Sequence, residues 1–143
     1  MQPLVLDTNL VLDVFVFADE AARPVLPRVQ AGGLRWIATA TMREELRRVL
    51  DYPKLAPRLA FHAVTANHVL AHFDRHAQLV PEAQKAPCTC KDPDDQKFID
   101  LAFAHGAVLL SKDRAVLALR KRLAMHGVRT AAAWGDVEAL PSG

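Results

Sequence analysis

The chain has 143 residues, 51% of them hydrophobic and 24% charged, with 18 Lys and Arg against 16 Asp and Glu for a net charge of +2. Those figures exclude an intrinsically disordered chain and suit a single domain over residues 1–143, with 1–140 as the folded core. No run approaches the roughly 18 uninterrupted apolar residues of a membrane helix, and the opening Met1 to Asp7 does not read as a signal peptide, so a cytoplasmic protein is expected.

In chain order, Leu4-Val5-Leu6 is an apolar run without alternation, which predicts a strand covered on both faces. Asp7-Thr8-Asn9 ends it with helix-capping side chains, and Leu10, Val11, Val14 and Phe15 then recur at helical spacing. A second helical piece is predicted from Glu20 to Gln30, stopping at Gly32-Gly33, followed by a strand from Leu34 to Ala38. Thr41 to Glu44 reads as a capping box with Thr41 as N-cap, opening a helix whose apolar stripe is Met42, Leu46, Val49 and Leu50 and which ends near Tyr52-Pro53.

Leu59 to Ala77 is predicted mostly helical, with Ala63, Leu70 and Phe73 buried. Leu79-Val80 follows as a short strand and residues 82–91 as a loop. That loop carries the only cysteines, Cys88 and Cys90, too few for a thiolate zinc site and poorly spaced for a structural disulfide. Asp92-Pro93 starts a helix as N-cap and N1, with Phe98, Ile99, Ala102 and Phe103 buried and Gly106 as its stop. Ala107 to Leu110 is the clearest buried strand. Asp113 caps a further helix running to His126-Gly127, Val128 to Thr130 is a last strand, and Trp134 to Leu140 a short terminal helix. Strands alternating with helices give an α/β fold, a sandwich with a mainly parallel central sheet between two helical layers.

Functional groups in such folds collect beyond the carboxyl ends of the strands. Asp7 and Asp113 follow the two best strands, where each can cap a helix, bind a cation, or do both. Glu45 shares a face with Met42, Leu46 and Val49, and Asp95 lies three, four and seven residues before Phe98, Ile99 and Ala102, so both point inward. An ionised carboxylate is costly to bury without a partner. Four converging acids would repel one another, and a divalent cation with oxygen ligands, Mg²⁺ or Mn²⁺, resolves the conflict. Phosphodiester hydrolysis is the natural reaction of such a site. Asp7, Asp95 and Asp113 are the expected metal ligands, with Glu45 a further ligand or the group that positions water. Asp92 caps its helix and can contribute a contact beside the metal.

Thr8, Asn9 and Ser111 can hydrogen-bond to these acids or to a phosphate, with Thr8 and Asn9 fixing the Asp7 rotamer, or serve as turn and cap residues. Between Ser111 and Arg129 lie Lys112, Arg114, Arg120, Lys121, Arg122 and Arg129 against the single acid Asp113. This basic flank suits a polyanion and equally a solvated helix surface; Lys112, Arg114 and Arg120 are the candidates for phosphate contacts.

Four blocks in this order resemble the PIN domain nucleases, and within them the bacterial group described as toxins of toxin-antitoxin systems. They are Val5-Leu6-Asp7-Thr8-Asn9, Glu45-Leu46 with Val49-Leu50, Cys90-Lys91-Asp92-Pro93-Asp94-Asp95 leading into Lys97-Phe98, and Leu110-Ser111-Lys112-Asp113. The resemblance covers nearly the whole chain as a PIN-like, Rossmann-like domain. It implies a metal-dependent endoribonuclease, a hydrolase with the acidic set Asp7, Glu45, Asp95 and Asp113, with Asp92 able to share the metal. It also implies a cognate antitoxin protein as partner and a homodimer. Ala115 stands where relatives often carry a second aspartate, which weakens the case for a second metal. The competing readings are a catalytically inactive PIN-like module that binds RNA or regulates, and a metal-dependent DNA nuclease or phosphatase.

Overall fold

The chain starts at the centre of its sheet. In the computed structural model, which describes residues 1–140, five parallel strands lie in the order β3-β2-β1-β4-β5. They are β1 (Gln2–Leu6), β2 (Leu34–Ala38), β3 (Gln78–Leu79), β4 (Val108–Leu110) and β5 (Thr130–Ala131). Leu4 pairs with Trp36 on one side and Val108 on the other, and Leu6 pairs with Leu110. Leu4, Val5 and Leu6 are buried, as the unbroken apolar run requires of a strand covered on both faces.

The helices are α1 (Thr8–Leu12), α2 (Val25–Gln30), α3 (Ala40–Leu50), α4 (Ala56–Phe61), α5 (Ala66–His76), α6 (Gln96–His105), α7 (Arg114–Leu117), α8 (Arg120–Met125) and α9 (Trp134–Glu138). Right-handed crossovers put the connections from β1 to β3 on one face of the sheet and those from β3 to β5 on the other, as expected for an α/β sandwich. The strand order reverses between β1 and β4, so the crevice beyond their carboxyl ends is the natural ligand site. No helix among the described residues is long and apolar enough to cross a membrane.

Several boundaries differ from expectation. The helix after β1 tightens into one α-turn and then widens into a π-helical turn, Asp13–Phe17, closed by Ala18 in the left-handed region. Pro24 splits the next piece into a 3₁₀ turn, Glu20–Ala22, and α2, since proline offers no N–H to continue a helix. Thr39, not Thr41, caps α3: its hydroxyl accepts from the Met42 N–H, while Thr41 is exposed and Glu44 pairs with Arg47. The predicted helix from Leu59 to Ala77 breaks at Ala63, which is exposed with φ 54°, and Thr65 caps a new helix. Leu119 likewise divides α7 from α8.

Residues 80–92 carry no helix or strand, as predicted for 82–91, yet side chains of α6 pin them. Gln96 accepts from the Cys90 N–H at 2.7 Å and donates to the Cys88 carbonyl at 2.9 Å. Asp100 accepts from the Ala86 N–H at 2.8 Å and from Gln96 at 2.8 Å. Both cysteines are free thiols packed into the core.

Candidate metal centre

Asp7 emerges from β1 and is 3% exposed. Its Oδ1 accepts from the Leu10 N–H at 2.9 Å, the cap of α1, and its Oδ2 accepts from the Ser111 hydroxyl at 2.5 Å. Ser111, fully buried just beyond β4, in turn accepts from the Asp113 N–H at 3.1 Å. Asp113 caps α7 by accepting from the Ala115 N–H at 2.8 Å. Two strand ends thus present two carboxylates, with Ser111 bonding the Asp7 side chain and the Asp113 backbone.

Asp92 and Asp95 approach from the pinned loop. Asp92 caps a 3₁₀ turn, Pro93–Asp95, by accepting from the Asp94 N–H at 3.0 Å, and Asp95 then stands at the head of α6. One carboxylate oxygen from each of Asp92, Asp95 and Asp113 lies within 4.8 Å of the others. Asp95 Oδ2 is buried without a hydrogen-bond partner. A buried anionic oxygen of this kind is costly unless something positive meets it. The donor set is all carboxylate, the chemistry of a hard divalent cation, and the residues therefore fit one.

Electrostatics agree with that fit. Burial raises the Asp7 carboxyl from 3.8 to about 6, against the lowering effect of Ser111 and the Leu10 N–H, with Asp113 and Asp13 raising it further. Asp95 is also raised well above the carboxylate range, first by burial, then by the charges of Asp113 and Asp92. Without a cation, these carboxyls hold their protons to higher pH than ordinary aspartates do.

Glu45, expected as a further ligand or to position water, faces the same cleft from α3 and already has partners there. It forms an ion pair with Lys97 and accepts from the Thr8 hydroxyl. Thr8 therefore fixes Glu45 rather than Asp7. The cleft, about 310 Å³, is lined by Asp7, Thr8, Asn9, Glu45, Asp95 and Asp113 together with Arg48 and Tyr52. Asp94 also reaches it, from an exposed position. Of the predicted acids, the structure groups Asp95 and Asp113 with Asp92, and sets Asp7 and Glu45 around them with their own partners.

The predicted cations divide differently. Lys112 lies 2.5 Å from Asp13 and 3.6 Å from Asp19, so its charge is already matched. Arg114 and Arg120 line a separate depression with Lys121, and neither lines the acidic cleft. Sequence reasoning missed Arg48, Lys97 and Asp13. Arg48 stands three residues after Glu45 on α3, the one spacing that could have marked it as a neighbour of that acid. Buried Asp13 carried no such signal, because its partner comes from the turn beyond β4.

A family model described as the PIN domain matches residues 3–115. No curated protein matches the chain.

Proposed function

The chain belongs to the PIN domain family, and from that membership and its carboxylate cluster we propose that it is a metal-dependent endoribonuclease hydrolysing RNA phosphodiester bonds. The observation that carries the reading is the convergence of Asp92, Asp95 and Asp113 around a buried, unpartnered Asp95 oxygen, beside a cleft open to substrate.

Asp92, Asp95 and Asp113 would hold a Mg²⁺ or Mn²⁺ ion, and Asp7 would add negative charge from a fixed position. The ion, when bound, supplies activation of water and neutralisation of phosphate charge during in-line displacement. Ser111 and the Leu10 N–H keep Asp7 oriented, so no rearrangement is needed there as substrate enters. Glu45, held by Thr8 and Lys97, faces the reacting region and can position water or accept its proton. Arg48 offers a charge to a phosphate at the rim.

The same reading makes the protein the toxin of a toxin-antitoxin pair, a cytoplasmic homodimer blocked by a cognate antitoxin protein. That extension rests on the sequence resemblance.

The test is cleavage of RNA and DNA with Mg²⁺ or Mn²⁺ by the native protein and by Asp7→Asn and Asp95→Asn. RNA cleavage lost in both variants is the expected result. Equal activity in native and substituted proteins would overturn the reading, and cleavage of DNA alone would convert it to a DNA nuclease.

A further inference from the structure

Next to the carboxylate cleft lies a second one of about 680 Å³, and Asn9, Val49 and Tyr52 line both. The two are therefore adjacent, with Tyr52 facing both. Its side chain is 54% exposed, unusual for a large aromatic group, yet its backbone is held on both sides. The Tyr52 N–H donates to the Val49 carbonyl at 3.0 Å and the Tyr52 carbonyl accepts from the Leu55 N–H at 2.9 Å. An exposed ring on a fixed backbone loses little freedom when another flat group stacks on it.

The far wall supplies charge. Arg58 lies over the Phe17 ring at 4.0 Å from its centroid, and Lys54 stands on the same cleft. Among the described residues, neither forms an ion pair, nor does Arg48, whereas Lys112 is matched by Asp13 and Asp19. Cations without an acidic partner, flanking an exposed aromatic ring, are the recognition chemistry of single-stranded nucleic acid, in which bases stack and phosphates pair. A duplex keeps its bases stacked on each other and would leave Tyr52 unused.

We propose that this second cleft is a nucleotide subsite: it holds a nucleotide flanking the scissile bond of a single-stranded polynucleotide, its base on Tyr52 and its backbone phosphates on Lys54 and Arg58. The proposal rests on the nuclease reading for the position of the scissile bond. It goes further in assigning the path of the strand and the residues of this chain that hold it.

The experiment measures binding rather than cleavage, using the full chain carrying Asp95→Asn with Mg²⁺ present. The probes are a fluorescent single-stranded RNA, the same strand with abasic sites, and poly-glutamate. Tyr52→Ala should weaken the intact strand about tenfold and the abasic strand far less, and Tyr52→Phe should retain binding. Lys54→Ala and Arg58→Ala should each lower the slope of log affinity against log salt by roughly 0.7. Equal loss for intact and abasic strands on Tyr52→Ala would overturn stacking. Equal loss for RNA and poly-glutamate on Arg58→Ala would show a general polyanion or acidic-peptide surface and overturn the subsite. Unchanged RNA binding in all variants, with RNA cleavage intact in the native protein, overturns the subsite alone. The expected binding pattern without cleavage by the native protein overturns the nuclease reading alone.

Discussion

The Ser111 hydroxyl donates to Asp7 Oδ2 at 2.5 Å, joining the end of β4 to the end of β1 across 104 positions of chain. Ser111 Oγ also accepts from the Asp113 N–H, so one buried hydroxyl fixes the Asp7 carboxylate and the backbone that carries Asp113. Ser111→Ala leaves a buried carboxylate oxygen and a backbone N–H short of a partner. A loss of about 1–3 kcal/mol in urea denaturation is expected, with cation affinity falling roughly tenfold or more by calorimetric titration with Mn²⁺. Unchanged affinity would mean that Asp7 needs no help from β4.

The raised Asp7 carboxyl sets a pH dependence. The folded, cation-free protein holds that proton more tightly than the unfolded chain, so its contribution to stability is full below 3.8 and is lost as pH rises through about 6. Asp7→Asn removes the titration. The stability difference between Asp7→Asn and native protein should therefore shift in favour of the variant by roughly 3 kcal/mol between pH 3.5 and pH 8 without divalent cations. Saturating Mn²⁺ should reverse that trend at high pH, because the native carboxylate then has a cation to meet. A difference independent of pH would contradict the burial of Asp7 as a proton-holding group.

Asp95→Asn separates stability from function. Replacing one of three carboxylates within 4.8 Å relieves like-charge repulsion, worth on the order of 1–3 kcal/mol at such separations. In chelator-treated samples above pH 8, where the native Asp95 is ionised, the variant should melt above the native protein, and with Mg²⁺ restored it should show no RNA cleavage. A variant that melts lower without cations would indicate that Asp95 is held by contacts other than its acidic neighbours.

On α3, Thr39→Ala should cost about 1 kcal/mol through loss of the cap, and Thr41→Ala should cost little. Glu44→Gln should leave cleavage unchanged, because Glu44 meets only Arg47 on the surface, whereas Glu45→Gln should impair turnover. Kinetics and chemical denaturation on the four variants check both statements. Loss of activity in Glu44→Gln with retention in Glu45→Gln would reverse the assignment of helix faces.

Gln96→Ala tests the clamp on residues 80–92. Removing the amide frees the Cys88 carbonyl and the Cys90 N–H, and Asp92 lies two residues beyond. Faster amide exchange in that segment and weaker cation binding are expected, with exchange in β1 and β4 unchanged.

The sheet and the main acids were legible because each rests on a local pattern. Leu4-Val5-Leu6 and Ala107 to Leu110 are unbroken apolar runs, and the acids that follow them are placed by chain direction alone. Glu45 and Asp95 could be told from Glu44 and Asp94 because helical periodicity sorts adjacent residues onto different faces. What the chain concealed was pairing across space. The π-helical turn brings Asp13 to Lys112 and α6 brings Lys97 to Glu45, pairings that no local spacing marks. The true cap at Thr39 was hidden by Thr41, two residues on, whose spacing to Glu44 imitates a capping box. The break at Ala63 left no mark either, since alanine is a strong helix former and takes a left-handed conformation only when its surroundings impose it.

The sheet order also carries a consequence for synthesis. β1 is made first, but its second neighbour, β4, is encoded more than 100 residues later, and the carboxylates reach one another only when the two strands pair. A chain still leaving the ribosome therefore carries Asp7 without Ser111 and Asp92 without Asp113. The acids therefore come together only once translation has passed β4 and the sheet has closed, so any cation they hold is acquired late in synthesis.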